Sequence, residues 1–168
     1  MTEPMLSKYL SVKKFTKSET ASRYGISNDI APEHMANARR TAAAFDMICE
    51  ALGKHLGLDG PVILDGNSFY RSRLVNQAVG GKSTPPSYHM AALAMDLDDD
   101  AADARPRRRM TDMELAKFIA ALADLPYDKV ILEYGWVHVQ MARDGAKPRR
   151  TTWTIKSANS PALPGFVA

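Results

Sequence analysis

Residues 87–96 read SYHMAALAMD, and this stretch contains a predicted strand and two side chains that can bind a metal, His89 and Asp96. Its second half, ALAMD, is short and apolar, which predicts a β-strand that ends in the carboxylate of Asp96. By the period of two, Ala92, Ala94 and Asp96 share one face, where the small side chains leave room beside the carboxylate. His89 precedes Asp96 by seven residues, so one stretch supplies both an imidazole and a carboxylate.

A second predicted strand, WVHVQM at residues 136–141, carries another histidine. Its valines alternate with Trp136, His138 and Gln140, so the imidazole of His138 points to the less apolar face. If the two strands are neighbours, this imidazole converges with the histidine and the carboxylate of the first stretch. Two imidazoles and one carboxylate leave a fourth tetrahedral position open, as in hydrolytic zinc sites. Spacing alone leaves a structural histidine as the alternative.

The surrounding sequence predicts an α+β chain in which a small, mainly antiparallel sheet packs with helices. It favours one domain over residues 1–168, a length that suits a single core. Glycines and caps mark the helix ends, and Thr111 with Glu114 forms a capping box. The predicted helices are 11–25, 32–56, 72–79 and 111–124, and the remaining predicted strands are 61–65, 129–132 and 151–155.

The composition excludes some functions and favours others. The single cysteine, Cys49, rules out an intramolecular disulfide and a Cys-based zinc site. A net charge of +3 and a pI near 9.0 favour a polyanionic partner such as an acidic cell wall, with simple solubility as the alternative. The basic cluster between Arg105 and Arg109 has no interleaved aromatic residues, so we expect no nucleic-acid partner.

Targeting signals are absent from the sequence as given. The N-terminal MTEPMLSKYLSVKKF has no apolar run of signal-peptide length, and no segment approaches the ~20 apolar residues of a membrane span. We therefore expect synthesis in a host cytoplasm without a signal peptide, and no membrane insertion.

Three segments in the same order resemble the M15 family of zinc peptidases. Residues 87–96 resemble its signature S-x-H-x-x-G-x-A-x-D, and SFYRS at 68–72 resembles its S-G-Y-R-S segment. EYGWVHV at 133–139 is similar to its E-[FY]…W-V-H-[VI] segment. The N-terminal part also resembles the phage-type branch of the family, so the likeness extends to about Met141.

The resemblance implies a role for each matching residue. His89, Asp96 and His138 match the ligands of one Zn²⁺ per chain. Glu133 matches the general base toward the zinc-bound water, and Arg71 matches the arginine that holds substrate and stabilises the oxyanion. Ser87 matches a residue that helps position these groups, and Trp136 is a further candidate for substrate binding.

The resemblance also implies a fold and a function. The fold is that of D-alanyl-D-alanine carboxypeptidases and hedgehog domains, with the zinc site on the sheet. The function is hydrolysis of peptide bonds in peptidoglycan stem peptides, as in a phage endolysin that acts as a monomer on the cell wall after release by a holin-like partner. The alternatives are a D,D-carboxypeptidase on free stem peptides and a non-enzymatic zinc-binding or phage structural domain.

Two departures from the family pattern affect these roles. The signature glycine is Ala92 here, which strains any tight backbone approach. Some members carry the base three residues before the last histidine, where this chain has Gly135. Glu133 lies five before that histidine, so a turn at Tyr134–Gly135 must bring it back toward the metal. The acidic run 98–100 is the alternative source of a base, although the charged stretch 98–109 is predicted to be a solvated loop.

Overall fold

A computed structural model of the chain describes residues 3–81, 84–99 and 110–167, which adopt an α+β fold. The helices are α1 (Val12–Phe15), α2 (Glu19–Tyr24), α3 (Met35–His55), α4 (Arg73–Ala78) and α5 (Asp112–Ala121), with a 3-10 turn at Pro32–His34. The strands are β1 (Asp65–Ser68), β2 (Ala94–Asp98), β3 (Tyr127–Leu132), β4 (Val137–Met141), β5 (Thr151–Thr154) and β6 (Leu163–Pro164).

The strands form one sheet in the order β1-β2-β4-β3-β5-β6. The prediction of a mainly antiparallel sheet is wrong, because β3 pairs antiparallel with β4 but parallel with β5. The end of β4, at Met141, lies beside the start of β3, at Tyr127. A short connection from that point therefore reaches the far side of β3 and begins β5 in the same direction as β3. The sheet is mixed for this reason.

The described residues divide into two compact units, within the bounds Met1–Asp46 plus Ser68–Met95 and Met47–Asn67 plus Asp96–Ala168. In the first unit, the rings of Phe15 and Phe45 pack on Phe69 at centroid distances of 5.2 and 5.5 Å. In the second unit, α5 packs on β3 and β4, whose valines are fully buried. Each unit thus has its own cluster of packed apolar side chains.

Most helix signals in the sequence are confirmed. Ser18 caps α2, which ends at Gly25 in the left-handed conformation with φ 61°. The capping box of Thr111 and Glu114 is present at the start of α5. The predicted helix 11–25 is wrong in one respect, because it is two helices. The hydroxyl of Thr16 donates to the carbonyl of Val12, and α1 ends there.

Several boundaries differ from their predictions. The strand predicted at 61–65 begins only at Asp65, because the N–H of Val62 donates to the carbonyl of Cys49 in α3. The strand predicted over ALAMD begins at Ala94, since Ala92 has a positive φ, and it continues past Asp96 to Asp98. Helix α5 ends at Ala121 because Leu122 is extended, and β6 was not predicted. Residues 100–109, which hold most of the predicted charged loop and its arginine cluster, lie outside the described residues.

In the part of the chain that the structure describes, no helix combines the length and the apolar character needed to cross a membrane.

A buried carboxylate in β3 gives the second unit a stability that depends on pH. Asp128 is 5% exposed and accepts hydrogen bonds from Nε of Arg149 at 2.9 and 3.0 Å and from its backbone N–H at 3.1 Å. The side-chain bond from Arg149 lowers the pKa of Asp128 below its usual value, and this effect outweighs burial, which raises the pKa.

We expect Asp128→Asn to lower the free energy of unfolding by about 1 kcal/mol at neutral pH, because a charge-assisted hydrogen bond is lost. A carboxyl with a depressed pKa stabilises the fold above its unfolded pKa of about 3.9 and loses that effect as the pH falls through the folded pKa. The difference between wild type and variant in urea unfolding should therefore be constant above about pH 5 and shrink below about pH 4. Asp59→Asn, at an exposed position, is the matched control. A difference that stays constant down to about pH 2 contradicts the assignment.

Candidate metal centre

The structure brings together the two histidines and the aspartate singled out in the sequence. His89, Asp96 and His138 each offer one ligand atom, and these atoms all lie within 4.8 Å of one another. The three residues are buried, with exposed fractions of 3%, 3% and 8%. Buried imidazole and carboxylate groups this close together are a recognised donor set for a divalent metal.

A compact turn over residues 87–93 presents His89. The N–H of Leu93 donates to the carbonyl of Tyr88 at 2.9 Å, and the N–H of Ala92 donates to the carbonyl of His89 at 3.1 Å. This pair of bonds is the Schellman arrangement that ends helical turns. At the start of the turn, the hydroxyl of Ser87 accepts from the N–H of His89 at 3.3 Å. The turn is thus closed at both ends by residues of the sequence signature.

The geometry of Ala92 explains why the family signature has glycine at this position. Ala92 has φ 56°, the left-handed conformation that a Schellman turn requires. An alanine there costs roughly 1 kcal/mol relative to glycine. The carbonyl of Ala92 accepts a hydrogen bond at 2.8 Å from the hydroxyl of Thr41, and Asn37 donates to the carbonyl of Ala91 at 3.0 Å. Side chains from α3 therefore hold the turn in spite of the strain.

A backbone carbonyl orients the ring of His89. Nδ1 of His89 lies 2.7 Å from the carbonyl oxygen of Phe69. A carbonyl only accepts, so Nδ1 is assigned the proton and Nε2 keeps its lone pair for a metal. The ring of Phe69 is fixed between Phe15 and Phe45. Partners of this kind set the tautomer and the direction of a metal-binding histidine.

His138 and Asp96 meet directly in the second unit. Nδ1 of His138 lies 2.6 Å from Oδ1 of Asp96. Strand β4 holds His138 opposite Ile131 of β3. Two imidazoles and one carboxylate whose ligand atoms lie within 4.8 Å of one another are the donor types of an open zinc site, so the chemistry of the donors fits zinc.

Arg71 is tied to the turn that carries His89. Its backbone N–H donates to the carbonyl of His89 at 3.3 Å, and its Nε donates to the hydroxyl of Ser68 at 2.9 Å. Asn28, which the sequence did not single out, donates to the carbonyl of Tyr70 at 3.0 Å and accepts from the N–H of Ser72 at 2.7 Å. Asn28 therefore fixes the backbone on both sides of Arg71. No sequence signal marked it, because its partners are all distant along the chain.

Glu133 and Trp136 lie in the turn between β3 and β4. The N–H of Glu133 donates to the carbonyl of Trp136 at 3.0 Å, and the N–H of Gly135 donates to the carbonyl of Glu133 at 2.9 Å. Gly135 has φ 142°, which a glycine adopts readily. The predicted turn at Tyr134–Gly135 is thus present, and the ring of Trp136 packs against Tyr134 at 5.2 Å. Glu133 itself is half-buried.

The acidic residues after β2 have partners of their own. Asp98 accepts from the side-chain amide of Asn67, and Asp99 accepts from the N–H of Met110 at 2.8 Å. Both carboxylates are 7% exposed, so the interpretation of this run as a solvated loop is wrong at these two positions. Asp100 lies outside the described residues. Hydrogen bonds that hold the loop favour a structural role for Asp98 and Asp99.

The other two histidines lie apart from these groups. His34 ends the 3-10 turn, where its ring lies 6.3 Å from that of Tyr70. His55 ends α3, where its ring contacts Phe118 at 5.0 Å.

An α+β fold that gathers two imidazoles and one carboxylate defines a protein with a candidate metal centre of the open, three-ligand kind. The family model described as Peptidase M15 matches residues 8–121, and the chain belongs to this family. M15 peptidases are generally zinc-dependent, and membership supports peptidase activity. The matched segment contains Arg71, His89 and Asp96, whereas Glu133 and His138 follow it. No curated protein matches the chain.

Proposed function

We propose that the protein is a zinc-dependent peptidase that hydrolyses peptide bonds in peptidoglycan stem peptides. The observation that carries the proposal is the buried cluster of His89, Asp96 and His138 in a chain of the M15 family. The basic balance of the chain, with a net charge of +3, suits an anionic cell wall.

Zinc is the metal that this donor set suits best. Two neutral imidazoles and one carboxylate satisfy zinc, and three protein ligands leave a position for water or substrate. When bound, zinc polarises the substrate carbonyl and lowers the pKa of water to about 7. The carbonyl of Phe69 keeps the ring of His89 in the tautomer that binds metal through Nε2.

The remaining candidate residues divide the work of peptide hydrolysis. Glu133 is the proposed general base, which takes a proton from water and passes it to the leaving amine. Arg71 offers planar donors to a substrate carboxylate or to the oxyanion, and its bond to Ser68 limits the directions of its guanidinium. Ser87 positions His89 through its hydroxyl, and Trp136 offers a partly exposed ring to the substrate.

Within this activity we favour a phage or prophage endolysin that acts as a monomer after release by a holin-like partner. Support comes from the resemblance of residues 6–26 to the phage-type branch and from Glu133, an acid that lies upstream of the position it would have in E-x-x-H. A D,D-carboxypeptidase on free stem peptides is the alternative, and the bond that is cut separates the two.

A second candidate is a zinc domain that binds a partner and hydrolyses nothing. It is favoured by one observation, namely that Gly135 stands where some members of the family carry the base. Such a protein keeps the metal ligands and needs no base.

Turnover of purified peptidoglycan by the zinc-loaded protein tests the proposal. We expect stem-peptide fragments in the mass spectrum, and none after the metal is removed with a chelator, because the water and the carbonyl then lose their Lewis acid. Restoring zinc should restore the fragments. Zinc bound at unit stoichiometry without fragments from any wall type would exclude the peptidase and favour the non-enzymatic domain.

A further inference from the structure

The face of the sheet that bears His138 continues across three strands. His138 pairs with Ile131 of β3, and Ile131 pairs with Trp153 of β5, so the three side chains share one face. The adjacent row on that face contains Gln140 and Lys129, which also pair. This group, called the Lys129 face below, lies entirely in the second unit.

The two faces of the sheet differ in exposure. The opposite face carries Val130, Val137 and Val139, all with exposed fractions of 0%. On the Lys129 face, by contrast, Lys129, Gln140 and Trp153 are each partly exposed, whereas Ile131 and His138 are buried, with exposed fractions of 9% and 8%. One face is therefore core, and the other remains accessible next to a candidate metal ligand.

Polar atoms on the Lys129 face lack protein partners. In the described residues, Oε1 of Gln140 and Nε1 of Trp153 are buried and accept or donate no hydrogen bond. Unsatisfied buried polar atoms are uncommon and costly, so they commonly mark a place that a ligand or water completes. Nζ of Lys129 lies over the ring of Trp153, 5.5 Å from its centroid, and its charge contributes to the lowered pKa of the neighbouring Asp128.

These groups together match an extended peptide with a negative charge. The ammonium of Lys129 donates at the partly exposed part of the face, and two buried groups without hydrogen-bond partners, the donor Nε1 of Trp153 and the acceptor Oε1 of Gln140, belong to the same face. Lys129 is diagonal to His138 across β3 and β4, a separation of about 7 Å between Cβ atoms. That distance equals about two residues of extended chain.

We propose that the Lys129 face is a subsite that binds a free carboxylate of the stem peptide, one or two residues from the bond that is cut. The inference rests on the proposed function and names the specificity of the same site. In stem peptides linked through the side chain of D-glutamate, the free α-carboxylate has this position. Amidation of that carboxylate removes its charge, so the subsite discriminates against amidated walls.

Binding of two synthetic tripeptides tests the subsite without turnover. L-Ala-γ-D-Glu-L-Lys has the free carboxylate, and L-Ala-D-isoGln-L-Lys has the amide. Calorimetry on the metal-free protein should show about 10-fold tighter binding of the free acid, since a charge-assisted hydrogen bond is gained. Lys129→Met should abolish this preference, and Lys129→Arg should restore most of it. Lys147→Met, which removes an exposed lysine, should leave the preference intact.

The outcomes separate the subsite from the activity. An equal affinity of the wild type for both peptides, no measurable binding of either, or an equal loss for both in Lys129→Met overturns the subsite. Cleavage of either peptide by the zinc-loaded wild type leaves the proposed function standing in each of those cases. Binding that depends on Lys129, without cleavage of any stem peptide, supports the subsite and overturns the peptidase alone.

Discussion

Replacing His138 by alanine should remove both the zinc and the activity of the protein. The imidazole is one of three proposed ligands, and two ligands cannot hold an open zinc site firmly. We expect zinc after dialysis to fall well below one per chain, and turnover of peptidoglycan to fall roughly a thousandfold or more. Zinc content by atomic absorption and fragment release by mass spectrometry measure the two effects on one preparation.

Matched variants separate metal loss from unfolding. His138→Gln keeps most of the volume of the side chain in β4 and should lose zinc in the same way. His55→Ala removes an exposed histidine at the end of α3 whose ring contacts Phe118, so its zinc content and rate should be those of the wild type. Full zinc in a folded His138→Ala protein would show that His138 is no ligand, and the 2.6 Å contact with Asp96 would then be a structural ion pair.

The ligand triplet could be proposed from sequence because each member lies in a periodic or signature context. Alternation in β4 placed His138 on the less apolar face, which it shares with Gln140 and Lys129. The signature from Ser87 to Asp96 supplied the other two, and the convergence of their ligand atoms follows the prediction. Strand neighbourhood was an assumption at that point, since β2 and β4 are more than 35 residues apart along the chain.

The supports of the site could not be predicted, because they depend on contacts between distant segments. Asn28 holds the backbone around Arg71 through Tyr70 and Ser72, which lie more than 40 residues away. The carbonyl of Phe69 reaches His89 across 20 residues. Neither segment has a periodic pattern that marks it. The parallel pairing of β5 was missed for a similar reason, since it depends on where a connection crosses and not on the residues of β5.

Ala92 and Gly135 are the two departures from the family pattern, and the structure bears on each of them differently. At Ala92 the left-handed φ of 56° gives the signature glycine a physical reason and shows that this chain tolerates alanine. At Gly135 the φ of 142° confirms a turn, so the acid two residues earlier leaves β3 beside the start of β4. That placement makes Glu133 the residue to test for the base.

Glu133→Gln should leave zinc in place and remove turnover. The change keeps the size of the side chain but removes its basicity, and general acid–base catalysis contributes about 100-fold to 10,000-fold to a rate. We therefore expect kcat to fall at least about 100-fold, with KM and zinc content close to those of the wild type. Steady-state kinetics on a stem peptide, together with metal analysis of the same sample, provide the measurement.

The acidic residues after β2 provide the comparison for Glu133→Gln, because they are the alternative source of a base. Asp98→Asn disturbs a bond to Asn67 and should change stability more than rate, and Glu33→Gln, at an exposed position, should change neither. If Glu133→Gln keeps its rate while Asp98→Asn loses it, the base is Asp98 and the turn at Gly135 has no catalytic meaning. Loss of zinc from Glu133→Gln would instead place Glu133 among the groups that support the metal. If Glu133→Gln loses its rate and keeps its zinc, Glu133 is the general base, and the protein is a peptidase and not a domain that only binds zinc.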